Sequence, residues 1–305
     1  MKKQKNNRIW EWVVCLVCTV ILSACAYHTP AEDWERNGRV RLHLSWQTRA
    51  LPSVMSYYFY KDGIGSPIVR RGDASGYEGS LPAGHYKVVV CNTDCENVLL
   101  ETDDGYDAAC GKARQVSSLK SSAVAIVQPG NLYGIGCAQI DIGGDEIAVK
   151  ELAPAGLVRQ LELNIKITGC GTGEVQPGKL SGQLAGIASG VYLCNGKPLT
   201  GAPAFVAFEP EVTATGVYTT TLNLFSLPER DAAGSPVDLR LDMELADGTR
   251  VSTSTDITED IGNAFVENTF SVILDLTIRY DEIGGLTLLL AEWKKGNDGS
   301  GMVDP

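Results

Sequence analysis

The sequence predicts an all-β protein built of sandwiches, and three observations carry that expectation. Apolar and polar side chains alternate cleanly in several short runs, most sharply at 39–46 and 161–168, the pattern of a strand with one face in a core and the other in water. Runs rich in Val, Thr and Ser are separated by glycine turns, and Gly accounts for 33 of the 305 residues. No stretch sustains a helical period, so strands following strands point to packed antiparallel sheets rather than a parallel α/β sheet.

Taken in chain order, residues 1–24 read as a secretory signal. Lys2, Lys3, Lys5 and Arg8 make a basic start, an apolar run follows over 12–22, and Leu22-Ser23-Ala24-Cys25 closes the segment. The apolar run is about half of the roughly 20 residues that span a bilayer, so a cleaved signal is expected rather than a permanent span. Leu22-Ser23-Ala24-Cys25 resembles the bacterial lipoprotein signal, which implies cleavage after Ala24 and lipid attachment at Cys25. Membrane lipid is then a partner through acylated Cys25, and that cysteine is a tether with no catalytic role. An ordinary thiol behind a conventional signal, or an uncleaved anchor, are the alternatives.

Residues 25–37 are polar, contain Pro30 and form a lipidated spacer. Removing residues 1–24 takes away four basic residues and one acidic residue and moves the formal net charge from −11 to −14. Such a chain repels phosphate backbones, which excludes nucleic acid as a natural partner. A mature length of about 280 residues exceeds the usual single core, so two domains are expected, a first sandwich over 38–152 and a second over 157–293. Pro154 and Gly156 interrupt the pattern between them, and 294–305 is a polar tail.

In the first half, strand patterns continue at 55–60, before Asp62-Gly63, and at 86–91, after Pro82-Ala83-Gly84; weaker ones lie at 124–127 and 133–140. The second half restarts at 161–168 and alternates again at 237–245 and 270–278. Asn195-Gly196 and Asp247-Gly248 supply the dipeptides that tight hairpins need for positive φ. Residues 286–293 form a last apolar strand before the tail; they read either as a final core or edge strand or as a strand able to dock in a partner.

Catalytic chemistry is mostly missing. His28, His43 and His85 are the only histidines, and none sits in a motif with a nucleophile and an orienting acid. Gly173 to Lys179 matches G-x-x-x-x-G-K, but Leu180 stands where magnesium needs Ser or Thr and Pro177 removes a phosphate-binding amide, so no nucleotide is expected. Asp103-Asp104-Gly105-Tyr106-Asp107 could attract calcium, yet it lacks the twelve-residue loop and reads better as a solvated acidic turn. Cys91, Cys95, Cys110, Cys137, Cys170 and Cys194 are an even set in an exported chain, which suggests disulfides of unknown pairing; buried thiols and a zinc site are the alternatives. Tyr57, Tyr58, Phe59 and Tyr60 could offer a sugar platform, although alternation along a strand would turn half of them into core. No catalytic residue, cofactor or metal is assigned.

The order Val40-Arg41-Leu42-His43-Leu44-Ser45-Trp46, then 55–60 with Asp62-Gly63, then Leu81 to Val90 and Asn92-Thr93-Asp94, resembles the fimbrial anchor-type lipoproteins of type V pili. Leu157-Val158-Arg159, the strand to Thr168 and Leu180-Ser181-Gly182 are similar to that family's second domain. The resemblance implies two tandem transthyretin-like (Greek-key) β-sandwiches, an outer-membrane lipid anchor facing the cell exterior, and a structural role. That role is to seat a fimbrium through strand complementation with pilin subunits. Stalk subunits of such pili are processed by a protease; Arg36 and Arg39 exist, but no convincing cleavage site is found in the spacer, which suits an anchor better. A surface glycan-binding lipoprotein is the alternative reading.

Overall fold

The alternation at the start of the chain becomes the strand Asn37–Leu44, with Val40 and Leu42 buried and Arg39 and His43 exposed. In this computed structural model, residues 37–48, 51–62, 65–116, 124–144, 146–170, 177–199, 201, 203–213, 216–225, 236–245, 248–261, 271–281 and 285–295 are described. Asn37–Leu44 lies at the centre of a three-stranded sheet, parallel to Ile147–Leu152 on one side and antiparallel to Gly76–Pro82 on the other. A five-stranded sheet packs beneath it in the order Ala155–Gly156, Tyr133–Ile142, Gly84–Asn92, Met55–Lys61, Ile68–Gly72. Between the two sheets Val40, Leu42 and Leu81 meet Tyr57, Phe59, Tyr86, Val88, Val90, Ile140 and Ile142 in one core.

The second half repeats this plan. Its first strand, Arg159–Cys170, is again central, parallel to the late strand Ser271–Asp281 and antiparallel to Tyr218–Leu224. Gly285–Lys295 extends that sheet antiparallel to Ser271–Asp281. The facing sheet runs Arg250–Asp256, Asp238–Leu245, Pro177–Ile187, Ala204–Phe208, Val124–Ile126, Gln115–Val116. Leu161, Leu163, Ile165, Leu274 and Leu276 from one sheet and Leu180, Leu184, Leu239 and Leu241 from the other fill the space between.

Pairing crosses the chain division at 152–157. Val124–Ile126 of the first half runs parallel to Ala204–Phe208, and Gly190–Tyr192 of the second half pairs with Cys110–Ala113. The far face of the five-stranded sheet, with Tyr58, Tyr60, Val89 and Cys91, therefore belongs to the same apolar cluster as Leu157, Leu193 and the second-half core. This double cover explains a burial pattern that period two does not give: all six residues of 55–60 are buried in succession. A strand with protein on both faces has no wet side to mark in the sequence.

Local chemistry sets the irregular points. Between Ala185 and Ile187 the register shifts, and Gly186 takes φ +79° there; a Cβ would come to 2.2 Å from the Pro236 carbonyl oxygen. Only glycine accepts that bulge without strain. A turn forms after 191–194, but not the tight one expected: of Asn195 and Gly196 only Gly196 takes positive φ (+70°), the Tyr192 N–H reaches across the loop to the Lys197 carbonyl at 2.8 Å, and the Lys197 amide donates to Asn195 Oδ1 at 2.9 Å. A single helical turn occupies 258–261.

Candidate functional site

The residues nearest the expected tether form the most heavily braced strand in the first sheet. Cys25, Ala24, His28 and the signal and spacer up to Arg36 lie outside the described residues, as do Gly173 to Gln176 and residues 296–305. The described chain starts at Asn37, already paired with Pro82, and from Arg39 onward the strand is paired on both edges. On its wet face Glu78 accepts from Arg39 Nη2 at 2.7 Å and from Arg41 Nε at 2.8 Å. The Arg41 bond holds the Glu78 carboxyl below the usual carboxylate range. Both ion pairs are exposed and screened by water, so the ladders and the buried Val40 and Leu42 do the holding. Arg39, considered above as a processing position, pairs through its backbone with Ser80 and Ile147 and is not in a free extended segment that a protease could engage.

One end of the first sandwich is tied by a buried amide. Asn92, 2 % exposed, accepts the Tyr133 N–H through Oδ1 at 2.7 Å and donates to Asp94 Oδ1 at 2.7 Å and the Asn131 carbonyl at 3.0 Å. Asp94 in turn accepts from the Ser53 amide and hydroxyl. The Asn92-Thr93-Asp94 motif thus joins three loops.

The remaining candidates fall apart as chemistry. Tyr57, Tyr58, Phe59 and Tyr60 are all buried. The sugar platform is corrected accordingly: not half but all of the cluster is core, because both faces of its sheet are covered. Burial pushes the Tyr58 hydroxyl up to about 12 and the Cys91, Cys95, Cys110 and Cys194 thiols above their ordinary value. Thiols of that kind are poor nucleophiles. Cys91, Cys95, Cys110, Cys137 and Cys194 stand as free thiols. Cys137 packs on the first core and Cys194 on the second, where the Cys194 backbone meets Gly136. Cys170 ends the strand Arg159–Cys170.

The acidic turn at 103–107 is tied to the body of the protein by Lys87, whose Nζ contacts Asp107 at 3.2 Å and sits 5.2 Å from the Tyr106 ring centre. No group of three potential metal ligands occurs among the described residues. Lys179 lies on a strand and pairs with Glu209 at 2.8 Å. His43 is on the wet face, and His85 Nδ1 meets Asp141 at 2.5 Å with both side chains exposed. The segment 286–293 lies within the edge strand Gly285–Lys295, where Leu286 and Leu288 pack against the second core. The reading as a final edge strand is the one adopted in the folded chain. Among the described residues no helix is long and apolar enough to cross a membrane.

Comparison with known proteins places these features. A Bacteroides ovatus protein named "Putative fimbrium anchoring subunit Fim4B" is 24% identical over 146 residues, a match spanning 46% of this chain and 44% of the relative's length. The crystal structure of a "putative adhesin" from Bacteroides ovatus aligns with TM-score 0.60 at 20% identity, over 74% of this chain and 84% of the other. The fimbrial anchor protein Mfa2 from Porphyromonas gingivalis aligns with TM-score 0.57 at 10% identity, over 84% and 96%. At these identities the structural matches speak for the β-sandwich fold. The resemblance read from the sequence thus leads to the same group of proteins, fimbrial anchors and adhesins, which are structural proteins of the cell surface rather than enzymes. The model of the domain of unknown function DUF5119 matches residues 24–209, more than half of the 305 residues, and the chain belongs to that family.

Proposed function

We propose that this chain is a lipid-tethered structural subunit that seats a fimbrium on the outer membrane, its two sandwiches gripping a pilin and Cys25 carrying the load to the bilayer. The observation that supports it most is the construction of Asn37–Leu44. A pull transmitted from a lipid through the spacer enters the described fold at Asn37, and from Arg39 onward two ladders resist it together. A strand at a sheet edge would peel one bond at a time. The strand pairing across 152–157 adds a second brace, since the halves cannot separate without breaking ladders as well as apolar contacts.

The test is Cys25→Ala in fimbriated cells. Protein and fimbriae are expected together in the medium, and fimbriae that remain on cells carrying the variant would sink the tether. A deletion that leaves fimbriae equally abundant, equally long and equally attached would remove the anchor role altogether. Of the two features behind the glycan-binding alternative, the export signal and the aromatic cluster, the burial of Tyr57 to Tyr60 removes the second.

A further inference from the structure

The two halves repeat one arrangement, and the repeat is incomplete at one place. In each, the first strand is central and runs parallel to the half's late strand, Ile147–Leu152 in the first and Ser271–Asp281 in the second. In the second half the far edge of that late strand carries Gly285–Lys295, antiparallel. In the first half the equivalent edge of Ile147–Leu152 pairs with no described residue. The chain instead leaves after Leu152 and joins the opposite sheet at Ala155–Gly156.

The side chains around this edge suit an added strand. Val149 is 57% and Ile147 36% exposed, on the outer face opposite Arg41 and Arg39. The three-stranded sheet is narrower than the five-stranded sheet beneath it, and Ile135 and Cys137, which pack on the first core, are left half-buried. Lys150 holds the position opposite the buried Leu42, is exposed at the mouth of the sandwich, and lies within electrostatic reach of the exposed Asp141. A charge at such an edge discourages indiscriminate strand pairing and favours a partner that brings an acidic residue to it. The other edges among the described strands differ. Gln115–Val116, Glu211–Val212 and Ala155–Gly156 are two residues long, Gly190–Tyr192 and Val98–Glu101 three and four, Ile68–Gly72 bears Arg70 and Arg71, and Gly76–Pro82 ends on a proline. The two long ones, Arg250–Asp256 and Gly285–Lys295, lie against one another.

We infer that the free edge of Ile147–Leu152 accepts one antiparallel strand of a fimbrial subunit, with apolar residues facing Ile135 and Cys137 and an acidic residue meeting Lys150. The inference rests on the fimbrial reading above. It adds which edge is used, beside the strand Asn37–Leu44, and which charge the partner carries. The backbone ladder supplies affinity, and the alternate side chains together with Lys150 supply choice.

The full lipidated chain with p-benzoylphenylalanine in place of Val149 is irradiated in fimbriated cells. The expected product is an adduct of this chain with a fimbrial subunit. Lys150→Glu in the same background lowers its yield at least tenfold, and Lys150→Arg leaves it unchanged. The inference is overturned by no adduct at position 149, by an adduct only with a second copy of this chain, or by an undiminished yield in Lys150→Glu. If those results occur while deletion of the gene still releases fimbriae, the anchor role stands and only the edge is wrong.

Discussion

Asn92→Ala is the perturbation that most directly probes how the first sandwich is held. The side chain is buried and its oxygen is the partner of the Tyr133 amide, itself on a buried residue. Truncation leaves that N–H without an acceptor, which costs about 1–3 kcal/mol. It also removes a bond donated to the Asp94 carboxylate, worth roughly a further 1 kcal/mol or more. The Asn131 carbonyl is on an exposed residue and water replaces its lost donor. The expected loss is about 2–4 kcal/mol, a shift of the urea midpoint by about 0.7–2 M at an m of roughly 2–3 kcal/mol/M. Trp46 fluorescence is a local reporter, because its ring packs edge-on at 5.5 Å against Tyr133. Asn92→Asp separates the causes. It keeps an acceptor for Tyr133 but sets a second carboxylate against Asp94, which raises the carboxyl pKa of the pair. That penalty is full above the ordinary carboxylate range and fades as pH falls through the raised value. A loss under about 0.5 kcal/mol in Asn92→Ala, or a pH-independent defect in Asn92→Asp, would refute the reasoning.

Further outcomes follow from the same contacts. The bond from His85 Nδ1 to Asp141 holds the imidazole above its ordinary 6.5 and Asp141 below its ordinary 3.8. The His85 part is present below pH 6.5 and lost as pH rises through the raised value; the Asp141 part is present above pH 3.8 and lost as pH falls through the lowered one. Proton NMR should show the His85 midpoint dropping in Asp141→Asn, and equal midpoints would dismiss the pair. Gly186→Ala forces an L side chain to φ +79° against the Pro236 carbonyl and should cost about 2 kcal/mol or more, read as a lower Tm. An unchanged Tm would mean that the bulge relaxes freely. Cys91, fully buried with its thiol pushed up by desolvation, should take up iodoacetamide at pH 8 only after unfolding. Labelling of the native protein at the rate of a free thiol would contradict that burial.

Legibility in the sequence followed solvent exposure. Asn37–Leu44, Arg159–Cys170 and Asp238–Leu245 announce themselves because each has one dry and one wet face, and the wet face carries the period. Gly76–Pro82 was not legible: two glycines and a terminal proline hide a strand whose Gly76 is required by the approach of the Leu42 carbonyl, 2.0 Å from where a Cβ would stand. Val98–Glu101 and Cys110–Ala113 are too short to show a period at all. Of the site features, the Asn92-Thr93-Asp94 motif was visible in the sequence, though its purpose was not. An amide buried at 2 % exposure and bonded to Asn131 and Tyr133 some forty residues away leaves no local signature.

The sequence by itself determined the strand-rich class, the acidic surface, the tether expected at Cys25 and the lack of a recognisable catalytic motif. These follow from local alternation, charge and spacing, which do not depend on what lies across the core. Only the tertiary structure decided that Tyr57 to Tyr60 are interior, that Val124–Ile126 and Gly190–Tyr192 pair across the chain division, and that one edge of Ile147–Leu152 pairs with no described residue. Each of those depends on which distant segment covers which face, and a strand's own residues record that they are covered without recording by what.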